Sequence, residues 1–80
     1  MGRYIYGFHH RLFYESGESI RQYTERTNEA LEQLQAKGAN IVDVQFFNYP
    51  HQGESMSIIV SLIVYEAKAP IEIELKPSSR

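Results

Sequence analysis

The sequence predicts a small α+β domain in which one amphipathic helix packs on an antiparallel sheet. Two observations predict this class: an apolar repeat of three and four residues in the first half, and two β-rich runs joined by a short loop with Pro and Gly. Eighty residues fit one domain. We therefore expect a single domain over 1–80 with a strand–helix–strand–strand core and an extended segment at each end. The outermost parts are an aromatic extension at 1–10 and a frayed tail at 77–80.

Aromatic residues are frequent among the first fifteen positions, and aromatic side chains favour a pleated, half-buried surface. Gly7 and the pair His9-His10 interrupt them. We predict a strand from Arg11 to Glu15, preceded by a separate extended segment from Tyr4 to Phe8.

A helix is predicted from Glu18 to Lys37. Ser19 is the expected N-cap, because Gln22 follows it at the spacing of a capping box. Gly38 suits the left-handed residue after a helix, and Lys37 suits the last carbonyls. The apolar repeat predicts that one face of this helix packs on the sheet, through Ile20, Tyr23, Thr27, Leu31 and Leu34.

Three further strands are predicted. The first runs from Asn40 to Tyr49, and the second from Met56 to Glu66. The loop at 49–55 between them contains Pro and Gly, which indicates an antiparallel hairpin. Apolar and charged residues alternate from Ile71 to Lys76, which predicts a half-solvated strand.

The run Met56–Glu66 is apolar on both sides of the predicted strand. We expect its even positions to face the helix, and its odd positions to form an uncovered face. Because one helix covers one face of a small sheet, the other face needs a second subunit or the N-terminal aromatic segment folded across it. The residues predicted for an interface between subunits are Ile41, Phe47, Ile59, Ile63 and Tyr65.

Composition limits the possible functions. The net charge is −2, so no broad basic surface is expected for a nucleic-acid backbone. Cysteine is absent, which excludes disulfides and thiolate metal sites. The apolar runs are shorter than the ~20 residues of a membrane helix. No signal peptide is recognised at the start, so we expect a cytoplasmic location and no membrane partner.

Catalytic and metal-binding patterns are weak. His9 and His10 are adjacent and point to opposite sides of an extended chain, and His51 is distant, so no metal site is predicted. Asp43 is the one strand carboxylate considered for acid–base chemistry, but an exposed strand residue is the better interpretation. No G-x-S-x-G or phosphate-binding glycine loop occurs. We predict no catalytic residue, no cofactor and no enzymatic activity.

The N-terminal run interleaves aromatic and basic residues, a combination that stacks unpaired bases in single-strand binders. The residues considered for nucleic-acid or ligand contact are Arg3, Tyr4, Tyr6, Phe8 and Arg11. Packing within the protein is the alternative interpretation for these aromatic rings.

Several short stretches carry a family resemblance: Leu12-Phe13-Tyr14-Glu15, Asn28-Glu29-Ala30-Leu31, Ile41-Val42-Asp43-Val44-Gln45 and Leu62-Ile63-Val64-Tyr65. Through them the chain resembles, over roughly 12–66, a family of small sporulation-associated acidic proteins from spore-forming Firmicutes. The resemblance implies a bacterial origin and the core fold, and no biochemical activity. The element order is also similar to that of the dodecins, small flavin-binding oligomers, although no Trp is present to stack on a flavin.

Three functions follow as hypotheses. The first is a non-enzymatic interaction or structural domain that self-associates through its sheet, as a dimer or a larger homo-oligomer. The second is an oligomeric small-ligand binder with an aromatic pocket between subunits. The third is a weak binder of single-stranded nucleic acid through the N-terminal segment.

Overall fold

A computed structural model describes residues 1–13, 17–50 and 55–75. The elements are β1 (Gly2–Phe13), α1 (Gly17–Ala36), β2 (Asn40–Pro50) and β3 (Met56–Ala67). Helix α1 packs on a three-stranded antiparallel sheet. The predicted α+β class and the predicted core order are therefore confirmed.

The sheet has the strand order β1-β3-β2, so β3 is the central strand and the other two are edges. Both pairings are antiparallel, which confirms the predicted β2–β3 hairpin. A bulge between Ile41 and Asp43 leaves Val42 without an opposite residue on β3. The bulge reverses the alternation of β2, so that Ile41 lies on the same side of the sheet as Val44.

Strand β1 is one continuous strand, and the predicted break at the two histidines is wrong. His10 is buried beneath α1 while His9 is exposed, so the pair continues the alternation of a strand. The N-terminal aromatic segment is therefore part of the sheet edge. It does not fold across a sheet face, which was one of the two predicted arrangements. The predicted strand residues Tyr14 and Glu15 lie outside the described residues.

Helix α1 begins and ends one residue before the predicted positions. Gly38 has a φ of 99°, which confirms the predicted left-handed residue after the helix. The predicted cap is wrong: Ser19 is buried inside the first turn, and its Oγ accepts a hydrogen bond from the Phe13 amide at 3.0 Å. Ile20 is also misplaced, since 58% of it is exposed. The face that packs on the sheet is centred on Ala30 and Leu34.

The helix covers the side of β3 opposite to the predicted one. The odd positions of β3 are buried from Ser57 to Ala67, and the even positions are only partly buried. The prediction assigned the helix to the even positions because they are continuously apolar, whereas the odd positions include Ser57 and Ser61. These serines are nevertheless buried on the helix side, where the Tyr23 hydroxyl lies 2.6 Å from Ser61 Oγ.

The segment 71–75 is not a strand, which corrects the prediction for Ile71–Lys76 as far as the described residues extend. It lies beside α1, where Lys37 Nζ donates to the Glu72 carbonyl at 2.6 Å and Gln33 Nε2 donates to the Glu74 carbonyl at 2.9 Å. Its apolar alternation reflects packing against the core by Ile71, Ile73 and Leu75.

Two smaller predictions concern the loop and the tail. Pro50, predicted in the loop, belongs to β2, which extends the predicted strand Asn40–Tyr49 by one residue. The other loop positions at 51–54, and all of the predicted tail at 77–80, lie outside the described residues.

Candidate interaction surface

The side of the sheet away from α1 carries a continuous apolar surface, here called the open face. Along β3 it consists of the even-numbered residues. On the two edge strands it continues through the residues that pair with these positions. Neither α1 nor segment 71–75 lies on it, because both pack on the opposite side of β3. The apolar members of the open face are Ile5, Phe13, Phe47, Tyr49, Met56, Ile58, Val60, Leu62 and Val64.

The edge strands supply the most exposed apolar groups of this surface. Ile5 on β1 is 64% exposed, and on β2 Phe47 is 47% and Tyr49 is 57% exposed. At the centre, Leu62 is flanked by Gly7 on one side and Gln45 on the other. An added Cβ on Gly7 would lie 3.1 Å from Leu62 Cδ2, so the glycine leaves space for the leucine side chain. A connected apolar patch of this kind is typical of an interaction surface.

Charged groups on the open face lie on all three strands: Glu66 is near the end of β3, and the others are on the edge strands. Strand β1 contributes Arg3 and Arg11, and β2 contributes Asp43. Arg3 Nη2 lies 2.9 Å from Glu66 Oε2, and this hydrogen bond lowers the pKa of the Glu66 carboxyl. Asp43 accepts hydrogen bonds from the Val44 amide and from Gln45 Nε2, which fixes its orientation. The open face therefore has a basic edge and an acidic edge.

Of the residues predicted for an interface, only Phe47 lies on the open face. Ile59, Ile63 and Tyr65 are buried on the helix side, so their predicted exposure is wrong. Ile41 is partly buried against the core, because the bulge places it on the helix side. The sequence prediction missed the even positions of β3, which it assigned to the helix. Ser61 distinguishes the two sides, because a buried hydroxyl needs a polar partner and Tyr23 on the helix provides one.

The residues considered for nucleic-acid contact are separated by the sheet. Tyr4, Tyr6 and Phe8 lie on the helix side, partly or fully buried, whereas Arg3 and Arg11 are exposed on the open face. The structure does not bring the rings and the guanidinium groups together on one surface. Packing, the alternative interpretation, accounts for the aromatic residues: Phe8 is in the core, and Tyr4 and Tyr6 pack against it.

His10 is held between β1 and α1 by both ring nitrogens. Arg26 Nη1 lies 3.0 Å from His10 Nδ1, and Nε2 lies 3.2 Å from the Ser19 carbonyl oxygen. Because a guanidinium only donates, Nδ1 is the acceptor and Nε2 carries the proton. Burial and the nearby positive charge of Arg26 lower the pKa of His10. The ring is therefore a neutral structural group in this arrangement.

Metal binding has no assembled site in the described part of the chain. Within 1–13, 17–50 and 55–75, no three side chains among His, Asp and Glu group together to hold an ion. His9 and His10 lie on opposite sides of β1, as predicted from their adjacency. His51 is outside the described residues.

A concave region lies on the helix side of the sheet. It is an open groove of about 810 Å³ between Tyr6, the last turns of α1 and residues 71–74. Lys37 and Gln33 line it while also holding the backbone of that segment. Burial raises the pKa of the Tyr6 hydroxyl, so this group is a neutral hydrogen-bonding group at the groove.

No family model, no curated protein and no solved structure matches this chain. The resemblance to sporulation-associated proteins therefore stays a prediction. Among the helical residues that the structure describes, no stretch is long and apolar enough to cross a membrane.

Proposed function

We propose that the protein is a non-enzymatic domain that self-associates through its open face. The observation that carries the proposal is an apolar row along the central strand, from Met56 to Val64, which no described part of the chain covers. Ile5, Phe47 and Tyr49 extend it onto both edges. Burying such a row contributes roughly 25 cal/mol per Å² of apolar surface removed from water. A second copy of the chain supplies a matching apolar surface.

The size of the open face supports this proposal. The twelve residues of β3 span about 40 Å, and the three neighbouring strands together are about 14 Å wide. The flat footprint is therefore roughly 560 Å², and projecting side chains increase the accessible area. Stable interfaces bury about 800 Å² on each partner. The open face is thus near the lower end of the sizes of stable interfaces, about 600 Å² on each partner.

The experiment is light scattering on a sizing column, with the chain of 9.3 kDa and two variants. Leu62→Lys places a charge at the centre of the open face. Ile20→Lys is the matched control, because Ile20 is an exposed apolar residue on α1 outside that face. We expect an oligomeric mass for the native chain and for Ile20→Lys, and the mass of a single chain for Leu62→Lys. Circular dichroism checks that Leu62→Lys is still folded. A native chain that is monomeric at millimolar concentration would contradict the proposal.

Small-ligand binding is the second candidate, and the groove beside Tyr6 favours it. The volume of about 810 Å³ falls within the usual range for ligand sites. A polar ligand would meet the Tyr6 hydroxyl and the Lys37 ammonium there. The test is a thermal-shift screen in which a stabilising compound loses its effect in Tyr6→Ala, while His9→Ala on the other side of β1 retains it.

A further inference from the structure

We infer that two copies pack open face to open face about a twofold axis parallel to β3, so that β1 of each copy lies over β2 of the other. This inference rests on the proposed self-association and adds its geometry. It follows from the unequal charges of the two edge strands.

The edge strands are complementary to each other. Strand β1 contains two arginines and no carboxylate, whereas β2 contains Asp43 and no Lys or Arg. On the open face, β1 presents Arg3 and Arg11, and β2 presents Asp43 with the rings of Phe47 and Tyr49. Carboxylates and aromatic faces are both favourable partners for a guanidinium. A basic strand is therefore better placed over β2 than over another β1.

The registers show which groups meet. Arg11 and Tyr49 both pair with Ile58, so they lie at the same height along the sheet. A twofold axis parallel to β3 exchanges the two edges and preserves this height. It thus places Arg11 of one copy over Tyr49 of the other. Arg3 pairs with Glu66, and Asp43 pairs with Val64, two residues away on β3. Along the strand, Arg3 of one copy is therefore about 7 Å from Asp43 of the other, a distance that a long side chain reaches.

The alternative axis runs across the strands and gives an unfavourable arrangement. It places β1 over β1 in the opposite direction, so when it is centred on Gly7 it brings Arg3 of one copy to Arg11 of the other. Like charges at an interface oppose association. In aligned packing, the strands of the two sheets cross at about 30°, so strands that lie near the axis stay close to the strands of the other copy. With the axis parallel to β3, Glu66 of each copy lies over its counterpart, but Arg3 of each copy lies beside this carboxylate pair at the same height. The charges therefore favour the axis parallel to β3.

The two axes differ in which residues of β3 face each other. With the axis parallel to β3, Val60 lies over its own counterpart, and so does Val64. With the axis across the strands and centred on Leu62, Val60 of one copy lies over Val64 of the other. The chain has no cysteine, so Val60→Cys and Val64→Cys each introduce one thiol. A short bifunctional thiol reagent then reports which pairs are close.

We expect Val60→Cys and Val64→Cys each to give a covalent dimer alone, with no increase when the two are mixed. Cross-linking that occurs only in the mixture would overturn the inferred axis while leaving self-association intact. Ile20→Cys on the exposed part of α1 is the control for random collision. Equal cross-linking of this control, or no cross-linking at all in a sample that light scattering shows to be dimeric, would also overturn the inference. A monomeric native chain would instead contradict the proposed function.

Charge reversal gives an independent readout. Arg11→Glu is expected to raise the dissociation constant of the dimer by roughly tenfold, because it replaces a cation over Tyr49 with an anion. Lys37→Glu is the matched control, since Lys37 lies at the end of α1 on the other side of the sheet. Equal dissociation constants for Arg11→Glu and the native chain would overturn the placement of β1 over β2.

Discussion

His10 accepts a hydrogen bond at its Nδ1 atom from Arg26 Nη1, at a distance of 3.0 Å, and this contact joins β1 to α1. Arg26 also donates to the His9 carbonyl at 3.1 Å, and its guanidinium lies 5.2 Å from the centre of the Phe8 ring. The arginine thus contacts three consecutive residues of the strand. A proton on Nδ1 would remove the acceptor and place a second positive charge beside the guanidinium.

The stability of the fold is therefore expected to depend on pH through His10. Burial and Arg26 lower the pKa of His10 in the folded chain below its ordinary 6.5, so the unfolded chain binds the proton first as the pH falls. The contribution is complete above about pH 6.5 and is lost as the pH falls from there through the lowered pKa. We expect the free energy of unfolding to decrease as the pH falls below about 6.5.

Urea denaturation across this pH range is the measurement. His10→Gln is expected to flatten the dependence, because an amide does not titrate. An unchanged slope in His10→Gln would show that another group causes the dependence. The lowered carboxyl pKa values of Glu18 and Glu66 act below this range.

The core face of α1 is tested by truncating leucine and isoleucine side chains. Leu34 is fully buried, so Leu34→Ala is expected to lower the free energy of unfolding by about 2–5 kcal/mol. Ile20→Ala is the control, with an expected change within about 0.5 kcal/mol, because its side chain is exposed. Chemical denaturation measures both, and similar values for the two variants would contradict the observed rotation of the helix.

Gly38 after α1 is tested by adding a Cβ atom. Its φ of 99° is disfavoured for residues with a side chain, so Gly38→Ala is expected to cost about 1–2 kcal/mol although no atom obstructs the added carbon. Gly17→Ala at the start of the helix is the matched control, because this glycine also has open space and has no positive φ. We expect the control to be neutral or slightly stabilising. Thermal unfolding of both variants distinguishes backbone strain from a general loss of glycine.

The fold was predictable from the sequence because its signals are local. The repeat leading to Leu34 and the stop at Gly38 predict the helix, and the β-rich run Met56–Glu66 predicts a strand. The side of β3 that meets the helix was not predictable in the same way, since both sides are apolar. That choice depends on distant contacts such as Tyr23 with Ser61, which no periodicity reveals.

The candidate surface shares this limit. Phe47 lies on the open face because Asp43, Gln45 and Phe47 alternate after the bulge, and its role in an interface stays a prediction. The membership of Val60 and Leu62 depends on the position of α1, so the surface could be recognised only after the helix was placed.

The central position of β3 has a consequence for the order of folding. During synthesis β1 and α1 emerge first, but β1 has no strand partner until β3 follows, and its pairing closes loops of up to 65 residues, as between Gly2 and Ala67. The hairpin of β2 and β3 closes a much shorter loop. We expect pulse-labelled hydrogen exchange to show amides of this hairpin protected before those of β1. Earlier protection of β1 would indicate that contacts with α1 organise it independently. Until β3 is complete, the growing chain is thus a helix flanked by two unpaired strands.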